Sequence, residues 1–364
     1  MKVAILTLCT NNNYGNRLQN YALQKFLSIY IETVDTIWFE KNHYLPELPT
    51  WNWKLILKCI LRWKNAYIDF KYNYVKECIR EYNIKKFSNK YIKIKYDYKI
   101  RNNLNEEYDY FIVGSDQVWN PHYEQYYNEK FLKFADKKKR ISYAASFGVT
   151  DIDNIKTKKI FQNNLIEMKN ISVREVAGAK LIEELIGIKV EVVVDPTILL
   201  SKEEWQKIEM VPEWYNGEKY ILTYFLGNPS PIIKSIAKKN NWKIYNLMDK
   251  NDFDLYTSRV EEFVYLIDHA QLVATDSFHA CVFSILMNTP FLVVNRQQKG
   301  VADMISRIDT LMELFGYQDR YIVNGECNLS DEKILNMDFS NVKAIQEREI
   351  ERSTVYMKKA LNLE

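Results

Sequence analysis

The sequence is poor in the patterns that mark metal, nucleotide and membrane proteins. Its 364 residues include only four histidines, which are scattered, and no carboxylates stand paired at the spacing of metal ligands. No apolar run approaches the roughly 18 residues that a membrane-spanning helix needs. The GxGxxG fingerprint and the P-loop motif are both absent. We therefore expect no metal and no cofactor. The sequence also argues against a dinucleotide-binding site and against a P-loop nucleotide site.

Cysteine is also scarce and irregular. The five cysteines, at positions 9, 59, 78, 281 and 327, form no CxxC pair and no regular framework. Their odd number argues against a full set of disulfides, which favours a reducing compartment and buried thiols. The apolar residues 3–9 follow a single lysine, and no small-residue cleavage site comes after them, so a buried strand is a better interpretation than a signal peptide. The sequence predicts a cytoplasmic protein.

Net charge is only +3, but positive charge is concentrated locally. Residues 51–100 hold thirteen Lys and Arg against four Asp and Glu, interleaved with aromatic residues. In a helix over about residues 51–64, Lys54, Lys58 and Arg62 would form one stripe beside large apolar side chains. Such a helix suits peripheral contact with the inner face of an anionic membrane, although packing on its own domain is the more common outcome. Without a recognisable module, nucleic acid is not an expected partner.

The order of apolar segments predicts the fold class. Apolar residues make up 47% of the chain, and its length suits two domains with a cleft between them. Short apolar strands alternate with segments of helical periodicity, which is typical of an α/β fold. The predicted strands are residues 3–9, 110–113, 141–145, 170–173, 190–194, 220–225, 242–245, 272–275 and 291–294.

This alternation predicts two Rossmann-like domains that face a cleft. The first spans residues 1–210 and carries a basic, aromatic-rich insertion at about 45–100. The second spans residues 211–339, after a linker near 210–217, and residues 340–364 form a helix that can pack back on the first domain. Polar or glycine-bearing turns follow the strands, as at Gly114–Asp116 and Asp195–Thr197. Ligands of open α/β sheets bind beyond the carboxyl ends of strands, so these turns mark the expected site.

Six short segments occur in a distinctive order, namely 13–24 (NYGNRLQNYALQ), 108–121 (YDYFIVGSDQVWNP), 142–148 (SYAASFG), 171–175 (ISVRE), 194–197 (VDPT) and 275–280 (TDSFHA). Together they resemble the polysaccharide pyruvyl transferase family. The resemblance implies a fold like that of the GT-B glycosyltransferases, with the active site between the domains. It also implies phosphoenolpyruvate as donor and a sugar of a surface polysaccharide or its precursor, nucleotide- or lipid-linked, as acceptor of a cyclic pyruvate ketal.

Ketal formation requires an acid that protonates the methylene carbon of the donor and cations that bind its carboxylate and phosphate. His279, at a predicted strand-to-helix turn, is the first candidate for the acid, with helix capping as the structural alternative. Arg174 matches one arginine of the family and is the best anion binder. Where many members have a second arginine, two residues before the histidine, this chain has Ser277. Arg296 and Arg307 are the candidates for the missing charge, and surface salt bridges are the alternative for both.

The other candidates lie in the first three segments and beside His279. Asp116 is a candidate for hydroxyl deprotonation or, equally, for a structural turn. Amides and an aromatic ring near it are typical of sugar-binding surfaces, and the start of the first helix can hold a sugar or a phosphate. Asp276 and Ser277 are also good N-cap residue types, so a structural role is the alternative for both. The remaining candidates for substrate contact are Gly15, Asn16, Gln19, Ser115, Gln117, Trp119, Asn120, Asp276 and Ser277.

Two other functions remain open at this point. The same fold would suit a glycosyltransferase that uses a nucleotide sugar. Ser277, which stands where many family members have an arginine, is consistent with this alternative. A non-catalytic polysaccharide assembly protein could retain the fold as well.

Overall fold

The computed structural model describes residues 1–9, 13–39, 75–96, 104–123, 127–225, 229–294 and 302–363. Arg296, the basic segment 51–64 and most of the predicted insertion lie outside the described residues. Two five-stranded sheets form the frame of the protein, and all of their strand pairs are parallel. No helix in the described ranges is long and apolar enough to cross a membrane.

The first sheet contains β1 (Lys2–Leu6), β2 (Thr33–Trp38), β3 (Ile94–Tyr96), β4 (Tyr110–Val113) and β5 (Arg140–Ser142), in the order β3-β2-β1-β4-β5. Isolated parallel bridges, Ile141 to Asn170 and Ala145 to Val173, connect it to a separate parallel pair, β6 (Ser172–Val173) and β7 (Glu191–Val192). The order reverses between β1 and β4, and this switch point is where ligands of such sheets bind.

The second sheet has the order β12-β11-β10-β8-β9, so its switch point lies between β8 and β10. Counted from its own first strand this is the doubly wound order 2-1-3-4-5, whereas the first sheet has the Rossmann order. Together the two sheets confirm the predicted α/β fold with two Rossmann-like halves. The strands are β8 (Tyr220–Tyr224), β9 (Lys243–Asn246), β10 (Leu272–Thr275), β11 (Phe291–Val294) and β12 (Tyr321–Ile322).

Helices connect most of the strands. In the first half they are α1 (Tyr14–Leu27), α2 (Val75–Tyr91), α3 (Leu104–Glu107), α4 (Tyr127–Lys130), α5 (Ile155–Leu165), α6 (Val176–Ile186) and α7 (Lys202–Gln206), with 3₁₀ turns at Lys137–Lys139 and Pro196–Leu199. In the second half they are α8 (Pro231–Asn240), α9 (Phe253–Tyr256), α10 (Val260–Asp268), α11 (Phe278–Met287), α12 (Ala302–Phe315) and α13 (Asp331–Leu335), followed by α14 (Val342–Leu361).

Local chemistry explains where the helices of the second half begin and end. α8 starts with Pro231, whose fixed φ suits a first helical position. α11 starts after Ser277, whose side chain accepts a hydrogen bond from the backbone of Ala280. Both helices end at an asparagine in the left-handed conformation, Asn241 and Asn288. These boundary residues are local features of the sequence, so the ends of such helices can be predicted without the tertiary structure.

The two halves share one hydrophobic cluster that runs from β1 and α1 to α10 and α11. Tyr14 at the start of α1 stacks on Phe263 of α10, with ring centroids 4.7 Å apart, and its hydroxyl donates to the carbonyl of Ser258 at 2.8 Å. Arg80 of α2 lies against the rings of Tyr14 and Tyr256, at 4.6 and 4.9 Å. The start of α1 is therefore held directly against the second half.

The last helix, α14, lies against the first half. The hydroxyl of Tyr356 donates to the carbonyl of Ser142 at 2.7 Å, and the amide of Gln346 donates to the carbonyls of Ile198 and Leu200 at 2.8 and 2.9 Å. The chain thus returns to the first half after it completes the second.

The cysteines are less buried than predicted. Cys281 is fully buried in α11, but Cys9, Cys78 and Cys327 are half-buried, and these four form no disulfide with one another. Cys59 lies outside the described residues. Burial of a thiol depends on its side of the element, which the scattered spacing of the cysteines does not reveal.

Candidate active site

The carboxyl ends of three strands in the first half deliver charged side chains to one place. Asp116 comes shortly after β4, Arg174 directly follows β6, and Asp195 comes shortly after β7. All three are buried, with no more than 7% of any of them exposed. Because neighbouring parallel strands end at the same edge, the residues that follow them meet there.

Asp195 is the centre of this group. Its Oδ2 accepts hydrogen bonds from Nη1 of Arg174 at 2.6 Å and from the hydroxyl of Ser115 at 2.8 Å. Its Oδ1 accepts from the backbone N–H and the hydroxyl of Thr197, at 3.0 and 2.7 Å. Four donors directed at one buried carboxyl group stabilise its ionised form.

Both aspartates of the site are held as carboxylates. Burial by itself would raise the pKa of Asp195, but His279 and Arg174 bring that pKa below the ordinary value of an aspartate. Burial would also raise the pKa of Asp116, but Arg174 and His279 lower it below the ordinary value of an aspartate. The Oδ1 atom of Asp116 lies 3.5 Å from Nη2 of Arg174, and its Oδ2 accepts from Nδ2 of Asn16 at 2.8 Å. Arg174 is therefore placed between two negative charges.

His279 reaches the same place from the second half. It lies in the first turn of α11, directly beyond the switch point of the second sheet. Its Nε2 is 3.7 Å from Oδ2 of Asp195, which is too long for a hydrogen bond but close enough for an ion pair with the imidazolium form. The structure thus brings together His279 and Arg174, which are 105 positions apart in the sequence.

The ring of His279 packs directly on Gly15 at the start of α1. A β-carbon built on Gly15 would lie 2.1 Å from Nδ1 of His279, far inside van der Waals contact. A residue with a side chain at position 15 would therefore displace the imidazole. We had expected Gly15 to offer its backbone to a substrate, but in the structure it makes room for His279.

Arg307 on α12 supplies the second guanidinium group. It is buried, and burial together with the charge of Arg174 lowers its pKa to about 10. When the amide of Gln117 is oriented to match its surroundings, its oxygen accepts from Nη1 and Nη2 of Arg307 at 3.0 and 2.8 Å. The guanidinium of Arg174 also lies over the ring of Phe278, 4.3 Å from its centroid.

A cavity of about 350 Å³ opens beside these arginines, and we name it the arginine cavity. Arg174, Arg307, Asp195 and Phe278 line its buried part. The rest of its wall comes from the end of β7 and from helices α6, α12 and α14. Its size lies within the range of small-molecule sites. Two buried cations beside a cavity of this size are suited to a small anion.

Several predicted residues support the site instead of facing it. Gln19 donates to the hydroxyl of Thr7 at 2.8 Å and accepts from the backbone of Ser115 at 3.2 Å, so it braces the switch point of the first sheet. Ser115 is fully buried and holds Asp195, as described above. Ser277 caps α11, and Asp276 beside it is partly exposed.

Trp119 corrects the expectation of a sugar-stacking surface. It is completely buried, its ring stacks on Phe131, and its Nε1 donates to the carbonyl of Lys130 at 3.0 Å. Asn120 is also buried and accepts from the backbone of His122 at 2.9 Å. The exposed aromatic residue of this segment is Tyr123, whose hydroxyl lies 3.3 Å from the amide of Gln117.

Asp195, Phe278 and Tyr123 are not among the individual site residues predicted from the sequence. The turn Asp195–Thr197 is predicted to lie at the site because it follows a strand, but no role for the Asp195 carboxylate is assigned from the sequence. Phe278 and Tyr123 carried no such signal, because an aromatic residue beside a motif is usually part of the core.

One further group of ionisable residues lies outside the arginine cavity. Atoms of Glu209, Asp268 and His269 that can bind metal lie within 4.8 Å of one another. Burial and the charge of Asp268 raise the pKa of Glu209 to about 8. Lys202 donates to Asp268 at 2.8 Å, so a cation of the protein already occupies one side of this group.

Comparison with known proteins gives one family and several structures of similar architecture. The sequence model described as "Polysaccharide pyruvyl transferase" matches residues 13–298. No curated protein matches the chain. The solved structure of Anabaena HepE with UDP and glucose is 12% identical, with a TM-score of 0.49, over 100% of this chain and 99% of that one. The UDP-GlcNAc 2-epimerase of Methanocaldococcus jannaschii, solved with UDP-GlcNAc and UDP, is 15% identical, with a TM-score of 0.46, over 98% and 100%.

Proposed function

Because the chain belongs to the polysaccharide pyruvyl transferase family, and so is a transferase, we propose that it transfers pyruvate from phosphoenolpyruvate to two hydroxyls of one sugar. The product is a cyclic ketal on a surface polysaccharide or its precursor, and phosphate is released. The observation that carries this proposal is that Arg174 and Arg307 both line one small cavity, and that His279 lies 3.7 Å from Asp195 in the same lining.

The charges of the site suit a small multiply charged donor. Arg174 and Arg307 offer planar donors that match a carboxylate or a phosphate in two-point fashion. Arg307 takes the role of the arginine that is absent at Ser277, because it is buried at the site although it comes from a different helix. These guanidinium groups provide the charge neutralisation that a metal ion would otherwise give, so we propose a reaction without metal or cofactor.

His279 is the proposed proton donor. The imidazolium transfers a proton to the methylene carbon of the donor, and one sugar hydroxyl adds to the neighbouring carbon and passes its proton to the leaving phosphate. The C–O bond to phosphate then breaks, and the second hydroxyl of the same sugar closes the ring and returns its proton to His279. Asp195, whose Oδ2 lies 3.7 Å from Nε2 of His279, helps to orient the ring. Asp116, whose pKa is lowered, hydrogen-bonds an attacking hydroxyl and is a weak base.

The acceptor is a sugar in this proposal, and it is nucleotide- or lipid-linked. Tyr123 offers a half-exposed aromatic face next to Gln117, where a pyranose ring can stack. For a lipid-linked acceptor, residues 51–64 would touch the inner face of an anionic membrane in the cytoplasm. Sedimentation with anionic and neutral vesicles tests this contact, and equal recovery with both would contradict it.

Isothermal titration with phosphoenolpyruvate in the presence of EDTA tests the donor without needing the acceptor. We expect the wild-type protein to bind phosphoenolpyruvate and the Arg307→Gln variant to bind it about 10- to 100-fold more weakly, since a hydrogen bond to a charged group is worth about 1.5–3 kcal/mol. Arg259→Gln is the control, because Arg259 lies outside the cavity lining and its guanidinium contacts Glu213, Glu262 and the sulfur of Met210. Stabilisation by a nucleoside diphosphate sugar with no heat from phosphoenolpyruvate would instead support a glycosyltransferase.

Replacing Gly15 by alanine is expected to lower kcat about 100-fold, although every charged group is kept. The new methyl group would overlap the imidazole of His279, and a displacement of about 1 Å in an active site costs on this order. Acceptor-dependent phosphate release measures the effect. The control is Gly178→Ala in α6, where the added β-carbon meets no atom closer than 3.4 Å. Equal kcat values for the two variants would show that contact with Gly15 does not position His279.

A further inference from the structure

The arginine cavity extends outward from its two buried arginines to the C-terminal helix. Arg352 and Glu349 of α14 line it, together with residues of β7 and α12. The side chain of Arg352 is 53% exposed, whereas Arg174 and Arg307 are buried. Arg352 therefore marks the outer end of the cavity, and the two buried arginines mark its inner end.

Arg352 is held in place by two contacts. Its Nη1 donates to Glu349 at 2.8 Å, and its Nη2 donates to the carbonyl of Val192, at the end of β7, at 3.4 Å. Glu349 is buried and also accepts from Nε of Arg348 at 3.0 Å. Glu349 thus pairs with two guanidinium groups and does not neutralise Arg352 alone. Glu313, whose exposed side chain also lines this end, brings the sum of these four charges to zero, so binding of an anion here would depend on the position of the Arg352 guanidinium and not on net charge.

We propose that Arg352 is part of the donor site and binds the phosphate of phosphoenolpyruvate, an inference that rests on the proposed function. The carboxylate and the phosphate of the donor are bonded to the carbon that the sugar hydroxyl attacks, and the methylene group is the third substituent of that carbon. The methylene carbon must lie near His279, beside Asp195 at the inner end of the cavity, so the carboxylate pairs with the inner arginines and the phosphate lies toward Arg352. Guanidinium groups at both ends of the cavity then bind both anionic groups, and the position of His279 sets the orientation.

This arrangement also assigns separate sides to the two substrates. The donor occupies the cavity between β7, α12 and α14, and released phosphate departs past Arg352. The acceptor approaches from the switch point of the first sheet, where Asp116 and Tyr123 lie. The C-terminal helix, which follows the residues matched by the family model, thereby contributes to donor recognition.

Arg348 provides a matched control for this inference. Arg348 and Arg352 stand one turn apart on α14, both contact Glu349, and their side chains are 58% and 53% exposed. Only Arg352 of the two lines the arginine cavity in the described part of the chain. Loss of general positive charge, or of a partner for Glu349, should therefore affect both alanine variants alike, while loss of a donor contact should affect Arg352→Ala alone.

Isothermal titrations of wild type, Arg352→Ala and Arg348→Ala with phosphoenolpyruvate, and separately with inorganic phosphate, test the inference. We expect about tenfold weaker binding of both ligands by Arg352→Ala, a change of no more than twofold for Arg348→Ala, and partial recovery in Arg352→Lys. If the wild type binds phosphoenolpyruvate and the two alanine variants behave alike, the role of Arg352 is refuted and the proposed function stands. If the wild type binds no phosphoenolpyruvate, the proposed function itself fails.

Discussion

Replacing His279 by glutamine is expected to lower acceptor-dependent phosphate release by about 10²- to 10⁴-fold, the usual contribution of a general acid. Glutamine keeps a polar side chain of similar length but cannot donate a proton to carbon. Arg174 and Arg307 are unchanged in this variant, so binding of phosphoenolpyruvate should stay within about fivefold of the wild type. Loss of turnover with retained donor binding is therefore the expected signature.

The control for this variant is His269→Gln. His269 is exposed at the end of α10 and its ring nitrogen lies 3.0 Å from the carbonyl of Tyr265, outside the arginine cavity. Its replacement should leave turnover and donor binding unchanged. Substantial phosphate release by His279→Gln would assign the proton to another group, and equal loss of binding and turnover would mean that His279 only holds the donor.

Replacing Asp195 by asparagine is expected to have the largest effect on stability. The buried carboxylate accepts four hydrogen bonds and balances the charge of Arg174. Removing one partner of a buried ion pair typically costs about 3–5 kcal/mol, because the other charge is left uncompensated in the interior. The free energy of unfolding, from urea denaturation at pH 7, should therefore fall by that amount. Turnover should fall as well, since His279 loses its anionic neighbour.

The pH dependence of stability provides a second measure of the same carboxylates. The pKa values of Asp195 and Asp116 are lowered in the folded protein, so these groups stabilise it above the unfolded pKa of about 4. This contribution to stability is lost as pH falls from the unfolded pKa through the lowered values, because the unfolded chain then binds protons that the folded protein does not bind. Wild-type stability should decline below about pH 5, and the decline should be shallower in Asp195→Asn.

Asp151→Asn is the matched control for these measurements. The side chain of Asp151 is 60% exposed and lies 3.9 Å from Nζ of Lys158, which is 40% exposed, and such a surface pair is worth at most about 1 kcal/mol. Its replacement should leave both the free energy of unfolding and the slope with pH nearly unchanged. A similar result for Asp195→Asn would show that the cluster around Arg174 does not depend on this carboxylate.

Part of the site could be predicted because it follows from strand topology. Asp116 and Arg174 lie beyond predicted strands, and parallel strands end at a shared edge, so their proximity was an expected consequence of the fold class. His279 lies at the equivalent edge of the second sheet. The distance between Arg174 and His279 depends on how the two halves pack against each other, and the sequence carries no periodic signal for such packing.

Other features were decided only by contacts between distant segments. Gly15 and His279 are 264 positions apart, and the space that Gly15 leaves for the imidazole depends on how α1 packs against α10 and α11. Arg307 became a site residue because of the face of α12 on which it lies. Trp119 was expected at a surface but is buried in the core, since polar neighbours in the sequence do not determine which way a side chain points.

The sequence by itself determined the alternation of strands and helices, the strand ends at which polar residues collect, and the family. These depend on local periodicity, on caps such as Ser277, and on short motifs, all of which are encoded within a few consecutive residues. Only the tertiary structure decided that Asp195 lies at the centre of the charges, that Arg307 joins Arg174, and that α14 reaches the arginine cavity. The physical reason is that charge compensation and cavity shape arise from packing between separate segments, which lie from 21 positions apart, for Arg174 and Asp195, to 160 positions apart, for Val192 and Arg352.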